Sequence, residues 1–170
     1  MSTATTITLV PYDPAWPDMF AGLARRIRTA FRDRALAVHH AGSTAVAGLS
    51  AKPIIDIVLA VADSADEDAY VPALTGVGFR FHLREPQWFE HRLMKAVDPA
   101  ANLHVFSVGC TEIDRMLRFR DWLRTHPDDR LLYEKTKHDL SRRSWASIQD
   151  YADAKTDIVS VILQRACRET

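Results

Sequence analysis

The fold is decided by the stretch His40-Ala41-Gly42-Ser43-Thr44 and, after a short connection, Lys52-Pro53-Ile54-Ile55-Asp56-Ile57-Val58. The pattern predicts a strand that ends in a Gly-Ser turn and a second, mostly apolar strand that carries one acid. Because glycine places no side chain in the approach, the turn leaves backbone N–H groups and the Ser43 hydroxyl free to hold an anion. Burying the charge of Asp56 among aliphatic residues costs free energy unless the carboxylate has a partner or a metal. The stretch therefore predicts an anion site beside a carboxylate.

Length and composition limit the classes of protein to which this chain can belong. The chain has 170 residues, with 22 Lys and Arg against 22 Asp and Glu. This length predicts one domain over residues 1–170, and the balanced charge favours neither nucleic acid nor a membrane as a partner. Its 2 cysteines are too few for a disulfide framework, and no apolar run approaches the ~20 residues that cross a bilayer. We expect a cytoplasmic protein, and the sequence leaves its oligomeric state open.

The N-terminal two thirds of the chain predict a sheet with a flanking helix. We expect a flexible tail over residues 1–6, a short edge strand over 7–12 and a helix that begins at Asp13-Pro14. The buried stripe of this helix is Trp16, Phe20, Leu23, Ile27 and Phe31. The other predicted elements are strands over 35–41, 53–61 and 79–83, a short helix over 70–74, and a hairpin over 88–97 and 102–108.

From Thr111 onward the periodicity is helical. Thr111 begins the first of these helices with a sequence that resembles a capping box. Pro127 ends it, the next helix begins at Asp128 or Asp129, and Ser147 caps a last helix whose apolar stripe continues to Ile162. The fold class is therefore α+β, with a mixed β-sheet, an N-terminal helix and a C-terminal helical cluster over residues 111–170.

Each predicted C-terminal helix carries a cation on the face that should be apolar. These cations are Arg120, Lys137 and Lys155. A bare charge costs several kcal/mol to desolvate, so three such positions predict a shared pocket for an anion or an acid. Three separate ion pairs with neighbouring aspartates are the alternative. Lys52, held by the extended backbone before Pro53, adds a fourth cation or is a solvated loop residue.

A resemblance to a known family begins in the central stretch and extends well beyond it. Residues 40–58 read H-A-G-S-T-A-V-A-G-L-S-A-K-P-I-I-D-I-V, and the further segments are P-Y-D-P-A-W over 11–16, N-L-H-V-F over 102–106 and F-R-D-W-L-R-T-H-P over 119–127, with Tyr133, Lys137, Tyr151 and Lys155. Together these residues resemble the GrpB family of the nucleotidyltransferase-fold superfamily. The resemblance covers nearly the whole chain and implies a nucleotidyltransferase-like mixed sheet.

The resemblance also implies a chemistry, from which this sequence departs. Enzymes of the superfamily hold a nucleotide triphosphate on the Gly-Ser turn and bind divalent metal with two acids, spaced Asp-x-Asp or Asp-x-Glu, and a third from a later strand. Here Asp56 keeps the first position, Val58 replaces the second acid, and His104 stands on the later strand. The acidic metal site is therefore incomplete. A carboxylate with a histidine suits Zn²⁺, Mn²⁺ or Fe better than Mg²⁺, and without a metal Asp56 would act as a general base.

These considerations give a set of expected site residues. Asp56 and His104 are expected to be catalytic and to hold the metal, Mg²⁺, Mn²⁺ or Zn²⁺, if one binds. The residues expected to bind phosphate or ligand are His40, Gly42, Ser43, Thr44, Lys52, Arg120, Lys137 and Lys155. Structural roles are the alternative for the two histidines. Cys110 has no base beside it in the sequence and is expected to be structural.

The function that these features favour is that of a divergent nucleotidyl- or phosphoryl-transferase. It would bind a nucleotide or another phosphorylated small molecule between the sheet and the C-terminal helices. The alternatives are a non-catalytic nucleotide- or coenzyme-binding module and a metal-dependent small-molecule hydrolase. GrpB-like domains occur fused to dephospho-coenzyme A kinase, which favours an accessory role near coenzyme A metabolism, although this chain lacks the kinase motif G-x-x-x-x-G-K-[ST].

Overall fold

The structure is a computed structural model that describes residues 5–32 and 37–168. The described residues form one five-stranded sheet in the order β1-β2-β5-β4-β3. The strands are β1 (Ala37–Ala41), β2 (Ile55–Val61), β3 (Arg80–Glu85), β4 (His91–Val97) and β5 (Ala100–Ser107). β2 and β5 are parallel, and the other neighbours are antiparallel. The mixed sheet of the predicted α+β class is therefore confirmed.

The helices lie before, within and after the strands. They are α1 (Trp16–Phe31), α2 (Val71–Gly76), α3 (Thr111–Thr125), α4 (Pro127–Ser141), α5 (Ile148–Asp153) and α6 (Thr156–Arg168). Single turns of 3₁₀ helix cover Ser43–Ala45 and Glu67–Ala69. Within residues 5–32 and 37–168, no helix combines the length and the apolar character that a bilayer crossing requires.

The main core lies between α1 and one face of the sheet. Trp16, Leu23, Ile27 and Phe31 of the predicted stripe are buried there, and Phe20 is partly buried. Ile57 of β2 is fully buried in the same cluster, and each large aliphatic side chain buried in this way contributes about 1.5–3 kcal/mol. This core fixes β2, the strand that carries Asp56.

The opposite face of the sheet is covered by the C-terminal helices. Val58 of β2 and Phe106 of β5 pack against Ile113 of α3. Side chains alternate along a strand, so Asp56 projects on the same face as Val58. The predicted burial of this strand on both faces is borne out at Ile57 and Val58, which are both fully buried. Asp56 marks the end of the strand at which the apolar cover stops.

The N-terminal segment differs from the prediction. Within residues 7–12, Val10 alone forms a bridge, with Ala51, so the predicted edge strand is wrong. Pro11 has no N–H to donate to a ladder, which limits pairing at this point. The predicted start of α1 at Asp13 is also wrong: the helix begins at Trp16, and Asp13 Oδ1 instead accepts from the Ala15 amide at 2.8 Å.

Parts of three predictions fall on residues that the structure does not describe. These are residues 1–4 of the expected tail, residues 35 and 36 of the predicted strand, and residues 169 and 170 of the predicted helical cluster. Thr5, at the edge of the tail, donates its amide to the Trp145 carbonyl at 2.9 Å. The N-terminal segment is therefore tied to the C-terminal part of the chain at its first described residue.

The hairpin begins later than predicted. β4 starts at His91 rather than Trp88, because Phe89 and Glu90 have φ values of 56° and 50° and form a turn. β5 starts at Ala100 rather than Asn102. Trp88 and Phe89 thus belong to an exposed turn before the strand.

The C-terminal helices confirm one predicted cap and contradict another. Ser147 Oγ accepts from the Asp150 amide at 3.1 Å, as a helix cap does. Thr111 is the first helical residue rather than the cap, and Cys110 before it makes no side-chain capping bond. The single last helix is also wrong, because α5 ends at Asp153 and α6 begins at Thr156. Lys155 therefore lies at a break between two helices.

Candidate functional site

A cavity of about 790 Å³ lies between the Asp56 end of the sheet and the C-terminal helices. Seven of the residues expected to form a site line it: Ser43, Thr44, Lys52, Asp56, His104, Lys137 and Lys155. Its other walls come from β3, β4, α5 and the Thr5–Leu9 segment. A surface groove of equal volume lies between α3 and α6, with Phe89 at its margin. The cavity, and not this groove, gathers the charged residues singled out in the sequence.

Asp56 is held at the floor of the cavity by its neighbours in the sheet. It pairs with Ala41 of β1 and Asn102 of β5. The Asn102 side-chain amide donates to Asp56 Oδ1 at 3.0 Å, and the Asp56 side chain is 31% exposed. Burial by itself would raise the pKa of Asp56, but His104, Asn102 and Lys52 together lower it by more. The pKa of Asp56 therefore lies below its usual range. Asp56 is therefore ionised near neutral pH.

The Gly42-Ser43 turn packs directly against this carboxylate. Gly42 has φ +68°, and a Cβ there would lie 2.5 Å from Asp56 Oδ2. Glycine is thus required both for the backbone conformation and for the close approach. Gly42 supports the floor of the cavity from behind, while Ser43 presents its hydroxyl to the cavity.

Lys137 of α4 reaches the turn from the helical side. Its ammonium donates to Ser43 Oγ at 3.0 Å and to the Ser50 carbonyl, and it lies 4.9 Å from the Tyr133 ring centre. The residue is only 2% exposed. Burial, followed by the positive charge of Lys155, lowers the pKa of Lys137 to about 7, although Glu134 opposes the shift. A buried amine of this kind gains most from a nearby negative charge.

Lys155 and Lys52 bring two further cations to the same side of the cavity. Their ammonium groups lie 4.7 and 5.8 Å from the Tyr151 ring centre. Burial, followed by the charge of Lys52, lowers the pKa of Lys155 to about 8, while Asp56 opposes the shift. Within the described part of the chain, the Tyr151 hydroxyl is the buried side-chain polar atom without a hydrogen-bond partner. This wall therefore concentrates positive charge over an aromatic ring.

Arg120 and His40 lie outside the cavity. Arg120 donates from Nη1 to the His40 carbonyl at 2.9 Å and from Nε to Asp121 at 2.8 Å, so it follows the ion-pair alternative rather than the shared pocket. The His40 ring stacks on Phe20, and its Nε2 lies 2.9 Å from Thr44 Oγ1. Burial, followed by the charge of Arg124, lowers the pKa of His40 to about 4. Both residues support the turn from behind.

His104 faces Asp56 and is joined to two residues that the sequence did not indicate. His104 Nε2 lies 3.6 Å from Asp56 Oδ1, and its Nδ1 lies 3.1 Å from Nε2 of His91. His91 Nδ1 in turn lies 2.7 Å from Glu85 Oε2. Burial, followed by the charge of His104, lowers the pKa of His91 to about 4, against the effect of Glu85. A correct hairpin register would have shown that these side chains share one face.

A divalent cation would find two protein ligands here, Asp56 Oδ1 and His104 Nε2. Among the residues that the structure describes, no three His, Cys, Asp or Glu side chains converge into a complete metal site. One carboxylate and one imidazole fit a metal that takes its remaining ligands from water or from a bound phosphate. Val58 stands where the superfamily has its second acid, and it is buried in the apolar cluster with Phe106. This position therefore offers no metal ligand.

Comparisons with known proteins agree over nearly the full chain. The model of the GrpB protein family matches residues 6–165. A UPF0157 protein of Halalkalibacterium halodurans is 56% identical over 161 residues, which are 95% of this chain and 83% of that protein. The crystal structure of the conserved protein GrpB from Enterococcus faecalis superposes with a TM-score of 0.81 at 27% identity, and the match covers 95% of this chain and 98% of that one.

A second kind of relative is larger than this chain. A dephospho-CoA kinase of Mycobacterium tuberculosis is 32% identical over 184 residues. The match covers 93% of this chain but only 45% of the kinase. The similarity therefore concerns one part of that kinase.

Proposed function

The chain belongs to the GrpB family, and from this premise we propose that it is a divergent nucleotidyl- or phosphoryl-transferase. It binds a nucleotide or another phosphorylated small molecule in the cavity between the sheet and the C-terminal helices. One observation carries the proposal: Lys52, Lys137 and Lys155 converge on the same cavity as the Ser43 turn and the Asp56 carboxylate. A volume of about 790 Å³ lies within the range of small-molecule sites.

The lysines hold the phosphate groups of the ligand. An ammonium donates charge-assisted hydrogen bonds to phosphate oxygens, and these bonds are about twice as strong as neutral ones. The ligand charge also removes the mutual repulsion of Lys52, Lys137 and Lys155. Ser43 adds its hydroxyl and the amides of its turn.

Asp56 acts at the floor of the same cavity. It is ionised near neutral pH, so it can accept the proton of an attacking hydroxyl as a general base. Asp56 and His104 are also the residues that would hold a divalent metal. When bound, that metal would supply Lewis-acid stabilisation of charge on phosphoryl oxygens.

The proposal is tested by thermal denaturation with inorganic phosphate, ATP and ADP, each with and without Mg²⁺ or Mn²⁺. Ligand at about 100 times its Kd stabilises the folded state by about 2.7 kcal/mol, so the melting temperature rises. Lys137→Met removes most of the rise, and Asp56→Ala removes the part that depends on metal. Lys135→Met is the matched control, because Lys135 lies on the same helix with its side chain 77% exposed. If no phosphate compound at millimolar concentration raises the melting temperature, the proposal fails.

A non-catalytic binding module is the second candidate, favoured by the burial of Val58 where the superfamily has an acid. The dephospho-CoA kinase relatives are consistent with such a module, since the matching segment is a part of a larger chain. Ligand binding without product over several hours, with several acceptor alcohols present, supports the module. Product formation that Asp56→Ala abolishes supports the transferase.

A further inference from the structure

The Ser43 hydroxyl lies beside a buried amine. Lys137 Nζ is 3.0 Å from Ser43 Oγ, and Lys137 is only 2% exposed. Within residues 5–32 and 37–168, no carboxylate forms an ion pair with Lys137. A hydroxyl within hydrogen-bond reach of an amine that has no anionic partner is the arrangement of a nucleophile and its base.

The carbonyl of Ser50 determines which way the amine faces. It accepts a hydrogen bond from Lys137 Nζ, and Glu134 Oε1 holds the same residue by accepting from the Ser50 amide at 2.8 Å. A carbonyl oxygen can only accept, whereas a hydroxyl can also donate. When the ammonium loses a proton, Lys137 therefore keeps an N–H on the Ser50 carbonyl and turns its lone pair to the Ser43 hydroxyl.

The groups around Lys137 favour the loss of that proton. Burial is the largest cause, and the charges of Lys155 and Lys52 repel the ammonium, whereas Glu134 favours it. The Tyr133 ring centre, 4.9 Å from the ammonium, gives a cation–π contact but no counter-charge. Together these neighbours lower the pKa of Lys137 to about 7. A lysine that is desolvated beside other cations is available as a base near neutral pH.

The dyad opens onto the cavity that holds the other charged groups. Ser43 and Lys137 both line it, and Gly42, at φ +68°, brings the turn against Asp56. The cavity therefore offers two proton acceptors with different neighbours. Lys137 faces a hydroxyl of the protein itself, whereas Asp56, 31% exposed, faces the open cavity. Two such bases fit two successive transfers, one to Ser43 and one away from it.

We propose that Ser43 is a catalytic nucleophile with Lys137 as its base, and that the transferase works by double displacement through a phosphoester on Ser43. In the first step Ser43 Oγ bonds to a phosphorus atom of a phosphoric anhydride, and the bond from that phosphorus to the bridging oxygen breaks. The bridging oxygen leaves with the electron pair on a phosphate or pyrophosphate, whose charge Lys52 and Lys155 stabilise. The Ser43 proton passes to Lys137.

The second step returns the dyad to its starting state. An acceptor alcohol attacks the phosphorus, its proton passes to Asp56, and the bond to Ser43 Oγ breaks. Ser43 then recovers its proton from the Lys137 ammonium, and Asp56 releases the other proton to water. The donor is an anhydride because its leaving oxygen departs as an anion and needs no proton. The inference rests on the proposed function, since the donor occupies the same cavity.

Reaction with an alkyl fluorophosphonate tests the dyad without relying on ligand recognition. Ser43 Oγ displaces fluoride from the phosphorus and Lys137 takes the proton, so mass spectrometry of the digested protein should find the label on Ser43. Ser147 lines the same cavity but has a carboxylate, not an amine, beside its hydroxyl, so it should stay unlabelled. Because the neutral amine is the base, the labelling rate should rise with pH and level off above the pKa of Lys137, about 7.

Lys137→Arg separates the base from the charge. A guanidinium stays protonated, so the variant keeps the positive charge but cannot take the Ser43 proton. Loss of a general base costs about 10²–10⁴-fold in rate, and labelling should slow by this factor. Lys135→Arg is the matched control, because the Lys135 side chain is 77% exposed on the same helix, and it should label at the wild-type rate.

Three results would overturn the dyad. They are a wild-type Ser43 that stays unlabelled or labels no faster than Ser147, a labelling rate that does not change with pH, and a folded Lys137→Arg that labels at the wild-type rate. The pH profile of the wild type decides the matter if Lys137→Arg does not fold. With ATP or ADP and no acceptor alcohol, a phosphoryl or adenylyl group should remain on Ser43, and an unmodified Ser43 in protein that these compounds stabilise would overturn the double displacement.

The proposed function fails separately. Phosphate compounds that raise the melting temperature, with Ser43 unreactive toward the fluorophosphonate, would refute the dyad and leave the binding site. Labelling of Ser43 that depends on Lys137, with no effect of any phosphate compound, would refute the transferase and leave the dyad.

Discussion

At the scale of single residues, Gly42 shows how closely the site is built. Gly42→Ala forces a Cβ onto a backbone with φ 68° and ψ −169°, which essentially only glycine adopts, at a cost of about 1–3 kcal/mol, and sets it 2.5 Å from Asp56 Oδ2. Gly48→Ala is the matched control, because Gly48 has φ +79° with no atom within 4 Å of the added Cβ. We expect Gly42→Ala to lower the free energy of unfolding by at least 1 kcal/mol more than the control does. Urea denaturation measures both, and equal losses would show that the turn yields to a side chain.

Lys137 makes a pH-dependent contribution to stability. Its pKa is about 7 in the folded protein, below the 10.5 of an ordinary lysine, so between these pH values the unfolded state binds more protons. Stability without ligand therefore rises with pH in this window, by at most about 1.4 kcal/mol per pH unit for one group. Lys155 adds a slope of the same sign. Urea denaturation at pH 7 and pH 9 should show a smaller rise in Lys137→Met than in Lys135→Met, and equal rises would contradict the assignment.

Some of these site residues could be predicted from the sequence. Asp56 interrupts an apolar strand, and a buried acid of this kind demands a partner wherever the strand lies. Helical spacing placed Arg120 on an inner face, but periodicity does not tell which neighbour that face meets. The sequence around His91 does not single it out, because its contact with His104 arises only from the pairing of β4 with β5. Local patterns thus identify unusual residues, while their partners depend on the tertiary fold.

At the scale of elements, the break between α5 and α6 distinguishes the observed helices from the single predicted last helix. Residues 153–156 read Asp-Ala-Lys-Thr, with neither glycine nor proline, so nothing local predicts an interruption. The break places Lys155 outside both helices, with its ammonium over the Tyr151 ring. Helical spacing predicts the same neighbour, since Lys155 follows Tyr151 by four residues, so this contact survives the break. Tertiary packing, which overrides propensity, therefore sets where α5 ends rather than which residue this cation meets.

Strand boundaries follow the same division between local and tertiary causes. The apolar runs over β2 and β5 were predictable, because continuous burial selects Ile, Leu and Val. The predicted strand over residues 7–12 has β-rich residues too, but within it Val10 alone forms a bridge, with Ala51. Thr5, which precedes this range, pairs with a different partner, Trp145. Strand composition indicates an extended backbone. It does not show whether a neighbouring strand is available for pairing.

At the scale of the whole molecule, the cavity exists because the two faces of the sheet are covered differently. The α1 face forms a continuous core. On the other face, one apolar cluster surrounds Val58 and Phe106, and another surrounds Leu140 and Tyr151. The charged cavity lies where neither cluster covers Asp56. The sequence predicted that helices cover this face, but the cavity itself depends on where α4 and α5 lie relative to the sheet.

This architecture predicts where a ligand will protect the backbone. A phosphate compound bound in the cavity joins the turn after β1 to α4 and α5, so amide hydrogen exchange should slow over residues 42–52 and 133–155. The α1 segment, which faces the opposite core, should change little. The groove between α3 and α6 has the same volume of about 790 Å³ and serves as the internal control. Protection centred on residues 111–118 and 160–168 would assign the ligand to that groove, whereas protection that is lost in Lys137→Met and kept in Lys135→Met assigns it to the lysine wall.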